Sequence, residues 1–523
     1  MRRVSLHRST WLVAGVLSAA CASPRVAPQE AMPQVTRTLT PAAPVAFALD
    51  APHAAAPPAG VRSIGRCDAR AGTARFTLAH VNDLQARYSD QLGGRSRYGF
   101  IAGYLRALKD EVPATLVLDA GDDYEKGSIA DLRSLGEGTR QMLQALPIDV
   151  RTIGNHDFAY GEAAVLRDVR ESAHPVIATN VQYNRDPSLF APYARFDVGC
   201  VKVGVVGVVT SGYGSDDRPS RAPFDGVFVQ NDGYTSALDA QVQKHRAEVD
   251  VMIALDHIGL WEDLALASRV PGIDVVIGGH SEDLVCTSSV VSRKDGSRAW
   301  VMQAGRWGEH VGRADFAVHF APFALTLEKY RMINVDATLP YANDVGDLAS
   351  RVEGESAPDA QRVIASLRAD VPSSRAMADL VFRAVSEKWQ ADALVLGRDV
   401  FWDRLRRGPL TLQRLYDSVL VQREPSGTNG FASLYVATLT GAELRALREK
   451  VKSPAYAVYA PQKLDPERQY QVVLEKRALE NPKLAFASGS IPAAASSARF
   501  AGEMIDVLEA YARARTAQGL TLD

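Results

Sequence analysis

The chain has 523 residues, more than one ordinary domain holds, so at least two domains are expected. Apolar residues make up 46% and charged residues 23%, enough to bury large cores. The formal net charge of -2 provides no general basic face, which argues against a nucleic-acid polymer as partner but leaves room for a local cationic pocket.

The first residues read as an export signal over 1–22. Arg2, Arg3 and Arg8 precede the apolar run WLVAGVLSAA, and small residues follow. A run of about ten apolar residues is too short to remain as a membrane-spanning helix. Two cleavage readings stand side by side. Ser18-Ala19-Ala20-Cys21 resembles a lipobox with lipid on Cys21, although Leu17 lies one place too early for the usual leucine. Ala20-Cys21-Ala22 is an A-x-A site for ordinary signal peptidase. Residues 23–72 are rich in Ala and Pro and read as a disordered tether. The expected location is therefore the periplasm or cell envelope, with membrane contact only through the anchor. Cys67, Cys200 and Cys286 form no recognisable framework and no CxxC pair, so lone thiols are expected.

From residue 73 to about 340 short β-rich apolar runs alternate with helical ones. FTLAHV, TLVLDA, VRTIG, VKVGVVGVVT, VDVMIAL and IDVVIGG are the strands; YGFIAGYLRALKDEV, GTRQMLQAL, TSALDAQVQKHRAEV and WEDLALASRV are the helices. This pattern predicts a layered α/β domain. Residues 341–373 are polar with one helical stretch and read as a linker. A second, smaller α/β unit is expected over 374–523, ending in the helix FAGEMIDVLEAYARART.

Five segments each follow an apolar run. They are Asn82-Asp83-Leu84-Gln85, LVLDAGDDYEKGS with Asp119 and Asp122, Gly154-Asn155-His156-Asp157, ALDHIG with His257, and IGGHSED with His280 and Glu282. In open α/β sheets strand C-terminal ends share one edge, where ligands bind. Carboxylate, imidazole and amide donors together suit divalent metals. Singly each segment has a bland reading as a turn or a structural histidine; the ordered set of five is hard to obtain by accident.

The set resembles the calcineurin-like metallophosphoesterases, and within them the secreted 5'-nucleotidases. LTLQRLYDSVL and YVATLTGAELRAL extend the resemblance into the second unit. It implies a four-layer β-sandwich metallophosphoesterase domain flanked by helices, followed by a 5'-nucleotidase-type C-terminal domain. It also implies two divalent ions (Mn, Zn, Mg, Co or Ca), the first held by Asp83, Gln85, Asp122 and Glu282, the second by Asp122, Asn155, His257 and His280. His156 would stabilise the transition state, with Asp157 orienting its ring. Asp119 and Asp123 are expected to be structural. Relatives usually carry His where Gln85 stands, and Glu282 also departs from their pattern; the two changes read as compensatory and favour a harder metal. Arg398, Arg404, Phe431 and Phe486 are the candidate substrate contacts of the second unit, whose base-stacking loops are incomplete. The implied reaction is release of phosphate from nucleoside 5'-monophosphates by metal-activated hydroxide. The alternatives are a phosphodiesterase for nucleotide sugars or 2',3'-cyclic nucleotides, and a catalytically weakened binding lipoprotein.

Overall fold

The computed structural model describes residues 61–210, 227–229, 233–397, 400–401, 403–419, 432–452, 456–480 and 482–522. The signal, most of the tether, Cys21, Arg398 and Phe431 lie outside the described residues. Among the described residues no helix is long and apolar enough to cross a membrane.

Two sheets pack face to face. One has six strands in the order Phe323–Asn334, His310–Phe320, Thr73–Val81, Thr115–Asp119, Val150–Thr152, Val176–Ile177, the last four parallel. The other has seven, in which Val201–Val206, Val251–Leu255, Val275–Ile277 and Arg298–Met302 run parallel. Phe76, Leu78, Leu116 and Leu118 from the first sheet meet Phe196, Val203, Val205 and Ile253 from the second in one core. Such strands are apolar on both faces because helices cover the outer sides. Leu238, Val242 and Leu266 of two helices pack on the outside of the seven-stranded sheet, and Phe100, Ile101 and Leu105 of another outside the six-stranded one. The expected four-layer sandwich is therefore the observed architecture.

Residues 341–373, expected as a linker, are ordered and docked. They contain the helix Asn343–Ser356 and the strand Val363–Leu367, with Val345, Ala349 and Val352 buried. Gly99 and Gly103, one turn apart on the helix Arg97–Glu111, leave the room. A Cβ on Gly99 would lie 2.3 Å from the Tyr341 ring, and one on Gly103 2.2 Å from the Pro340 carbonyl oxygen. The polar letters that suggested a linker occupy the outer face of that helix.

The C-terminal unit has a five-stranded sheet with helices Ser374–Trp389, Gly441–Lys450 and Met504–Ala517. In LTGAEL the strand stops and a helix starts at Thr440. The Thr440 hydroxyl accepts from the Glu443 N–H at 3.3 Å and the Glu443 carboxylate accepts from the Thr440 N–H at 2.8 Å, a capping box. Phe486, expected to stack a nucleobase, is instead fully buried among Leu439, Leu444, Tyr456 and Leu474. An aromatic side chain in a loop has two ways to be used, and here the core took it. Phe486→Ala is expected to destabilise this unit by about 3–5 kcal/mol, read from its denaturant-unfolding midpoint.

The expectation of lone thiols also fails. Cys67 and Cys200 form a disulfide with Cα atoms 4.6 Å apart, and no described cysteine is free. The strand Arg62–Ile64 runs parallel to Ala194–Val198, and the Gly199 N–H donates to the Ile64 carbonyl at 2.7 Å. This pairing carries Cys67 past the Gly199–Cys200 turn, a juxtaposition that spacing along the chain does not reveal.

Candidate metal centre

The loops that leave the C-terminal ends of both sheets' parallel strands meet at one edge of the sandwich. Their backbone is unusually strained. Asp83, Gln85, Asp122, Glu125, Lys126, His280, Glu282 and Trp307 all have positive φ, between 46° and 79°. Non-glycine residues in this region gather where surrounding structure imposes them, commonly at functional sites. Neighbouring glycines give the clearance. A Cβ on Gly154 would lie 2.0 Å from Asp122 Oδ1, and one on Gly279 2.8 Å from His257 Nδ1.

Asp122, His257 and His280 each offer a ligand atom, and these atoms lie within 4.8 Å of one another. His257 Nδ1–H donates to the Ala120 carbonyl at 2.7 Å, which leaves the lone pair on Nε2. That Nε2 is buried, has no hydrogen-bond partner, and stands 3.2 Å from Asp122 Oδ2. His280 Nδ1 is 2.8 Å from Asn155 Oδ1. Both separations suit neighbouring ligands around one ion with bonds of about 2.1 Å. Asp83 Oδ2 accepts from the Asn82 side-chain amide at 2.8 Å and from the His280 N–H at 3.0 Å, while its Oδ1 is buried and unpaired. The two orphaned atoms, Asp83 Oδ1 and His257 Nε2, are what a cation would satisfy.

The electrostatics agree. Burial works against a charged His257, yet Asp122 beside it lifts its pKa to about 10. Burial likewise opposes ionisation of Asp122, but His257 holds it well below the usual carboxylate range. Burial pushes Asp83 up to about 7. The closeness of His257 Nε2 to Asp122 Oδ2 that produces these shifts also suits two ligands of one ion.

His156 lies on the short helical turn His156–Phe158, its N–H donating to Asp122 Oδ1 at 2.8 Å. Its ring partner is not the expected one. Nδ1 pairs with Glu125 Oε2. The Asp157 carboxylate is committed to backbone, accepting from the N–H groups of Asp122 at 3.0 Å, Asp123 at 2.9 Å and Tyr124 at 3.3 Å. It shapes the loop that presents Asp122. With the Gly154 N–H also bound to it, it cannot hold the imidazole as well. Asp119 accepts from the Gly121 N–H at 3.2 Å and Asp123 pairs with Arg151 at 3.3 Å, the structural roles expected of them.

Gln85 and Glu282 are brought together but bonded to each other. Gln85 Nε2 donates to Glu282 Oε1 at 3.0 Å, and Gln85 Oε1 accepts from Trp307 Nε1 at 2.9 Å. Glu282 also meets Arg306 at 2.6 Å and Lys126 at 3.7 Å. Arg404, a proposed substrate contact, is exposed.

Glu125, Lys126, Arg306 and Trp307 were missed by the sequence reading. The first two stand within the quoted DDYEKGS run, but nothing there marks them as partners of His156 and Glu282. LTLQRLYDSVL, read as a family motif, is a docking element. Gln413 accepts from the Ile129 N–H at 3.0 Å and donates to the Gly127 carbonyl at 2.8 Å, and Asp417 pairs with Arg87 at 2.7 Å.

The stretch that carries most of these loops is similar to known proteins. Residues 76–281 match the family described as Calcineurin-like phosphoesterase. A snake venom 5'-nucleotidase from Gloydius brevicauda is 29% identical over 278 residues, covering 46% of this chain and 45% of that protein. Protein UshA from Yersinia enterocolitica is 25% identical over 455 residues, covering 74% of this chain and 78% of its own length. The chain spans about half the length of the first of these curated relatives. A 5'-nucleotidase precursor from Thermus thermophilus superposes with a TM-score of 0.67 at 21% identity, covering 84% of this chain and 96% of that one, a likeness of fold. Residues 76–281 thus match a calcineurin-like phosphoesterase domain, and the relatives similar to this chain include 5'-nucleotidases.

Proposed function

We propose that this protein is a metal-dependent phosphoric ester hydrolase that releases phosphate from nucleoside 5'-monophosphates. The observation that carries the reading is the convergence of Asp122, His257 and His280 beside His156, with two buried polar atoms left unpaired. Asn155 and Asp83 complete the donors. A divalent ion held there supplies Lewis acidity for a phosphoryl oxygen and lowers the pKa of water. The resemblance brings an expectation of two such ions sharing Asp122.

The chain's own residues do the rest. Glu125 holds His156 by Nδ1, which directs Nε2 as the ring atom that stabilises charge on the phosphoryl group or gives a proton to the leaving alkoxide. Asp157 fixes the backbone of residues 122–124, so that Asp122 is presented without reorganisation. The proposed division is a metallophosphoesterase domain over 73–340 and a substrate-binding unit over 374–523. Burial of Phe486 removes one candidate stacking ring, which supports a loose preference among nucleobases. Export to the periplasm or envelope, with lipid on Cys21, is part of the proposal and rests on the N-terminal residues alone.

A substrate panel tests the reading. Adenosine monophosphate, UDP-glucose, 2',3'-cyclic adenosine monophosphate and bis-p-nitrophenyl phosphate are supplied with Mn, Zn, Mg, Co or Ca. Phosphate from the monophosphate at the highest kcat/KM is expected. Turnover confined to the diesters would make it a phosphodiesterase, and no turnover with any metal would leave only a binding role.

A further inference from the structure

We infer that this chain binds one divalent ion, at Asp83, Asp122, Asn155, His257 and His280, and that an ion-pair network of its own side chains occupies the position of the other. The inference rests on the metal-dependent reading above and concerns residues 85 and 282, which that reading would enlist as ligands.

The chemistry of Gln85 decides it. An indole N–H is a donor only, so the Gln85 atom facing Trp307 at 2.9 Å is the carbonyl oxygen. An ionised carboxylate accepts only, so the atom facing Glu282 at 3.0 Å is the amide nitrogen. The two partners therefore fix the amide in one orientation. In it a nitrogen with no lone pair to give stands between Gln85 and Glu282, and the one atom of Gln85 able to bind a cation is turned toward Trp307. Glu282 and Gln85 cannot chelate one ion in this arrangement.

Glu282 is already neutralised. Arg306 Nη1 sits 2.6 Å from one oxygen and Lys126 Nζ 3.7 Å from the other. A divalent ion on Glu282 would have to displace the first and settle beside the second, and like charges at such separations repel strongly in a partly buried site. The network is braced from several sides. Trp307 carries the Arg306 guanidinium over its ring at 3.8 Å and that of Arg87 at 4.2 Å. Arg87 is in turn held by Asp417, 2.7 Å away on the helix Leu412–Asp417. Gln85 and Glu282 both have positive φ and so are held in place by backbone as well as by partners. Arg306 and Lys126 then stand at the edge of the centre as fixed positive charges, the part a second cation would otherwise play toward an anionic ester.

Titration of the full chain, stripped by chelator, with Mn(II) alone tests this by electron paramagnetic resonance and elemental analysis. One tight equivalent is expected, with no exchange coupling between manganese ions. His257→Ala should lose that equivalent, whereas Glu282→Gln should keep it, with affinity within about threefold. Two tight equivalents, or a coupled spectrum, would overturn the inference while leaving metal-dependent hydrolysis standing. Loss of the single equivalent in Glu282→Gln would overturn it too, by making Glu282 a ligand. Absence of any tight binding would overturn both this inference and the proposed function.

Discussion

Replacement of His156 by alanine is expected to lower kcat on adenosine monophosphate by about 10²–10⁴-fold, the range typical of a positioned acid–base group. KM and metal content should change little. The expectation follows from placement. The His156 backbone is tied to Asp122 Oδ1 at 2.8 Å, and its ring is steered by Glu125 rather than by any metal donor. Removing the ring therefore deletes a transition-state contact without deleting a ligand. Glu125→Gln should give a smaller loss of kcat with the same metal content, because a neutral amide still reaches Nδ1 but holds the ring less firmly. Steady-state kinetics beside elemental analysis separates the cases. Unchanged kcat in His156→Ala would remove His156 from the chemistry.

Asp122→Ala is expected to abolish both tight metal binding and turnover. Asp122 has one oxygen 3.2 Å from His257 Nε2 and the other on the His156 N–H. It is the residue that both the donor cluster and His156 share. Partners outside a metal's direct ligands typically lower affinity about 10–100-fold when removed, and a central carboxylate ligand should exceed that. The folded state should survive, since Asp157 keeps its bonds to the loop amides whatever side chain residue 122 carries. Isothermal titration with Mn(II) and a thermal melt check both parts. Retained affinity would show that the ion sits elsewhere.

The parts of this centre that depend on strand ends were legible in the sequence. FTLAHV, TLVLDA, VDVMIAL and IDVVIGG are apolar because both their faces are covered, and each delivers its next polar residues to the same edge. That geometry brings Asp83, Asp122, Asn155, His156, His257 and His280 to one edge, while the roles expected of them came from the family resemblance. Pairwise contacts between loops were not legible. The resemblance gives Asp157 the task of orienting His156, yet the positive-φ turn at Glu125 and Lys126 brings a more distant carboxylate to the ring. The sequence expectation makes Gln85 a ligand of the first ion, balanced by Glu282. The two do meet, but Trp307, 222 residues downstream of Gln85, decides which end of the amide faces which partner. Nor does spacing tell whether Phe486 points outward to a base or inward to Leu439 and Leu474. Side-chain direction in irregular loops is set by tertiary packing, which a periodicity argument does not see.

The central claim is that these converging loops form a metal centre for phosphate ester hydrolysis. Its most direct test is phosphate release from adenosine monophosphate by the full chain as purified, after chelator and dialysis, and after Mn(II) is restored. Turnover should fall to background on chelation and return with the metal. Turnover that is indifferent to chelation, or absent throughout, would contradict the claim.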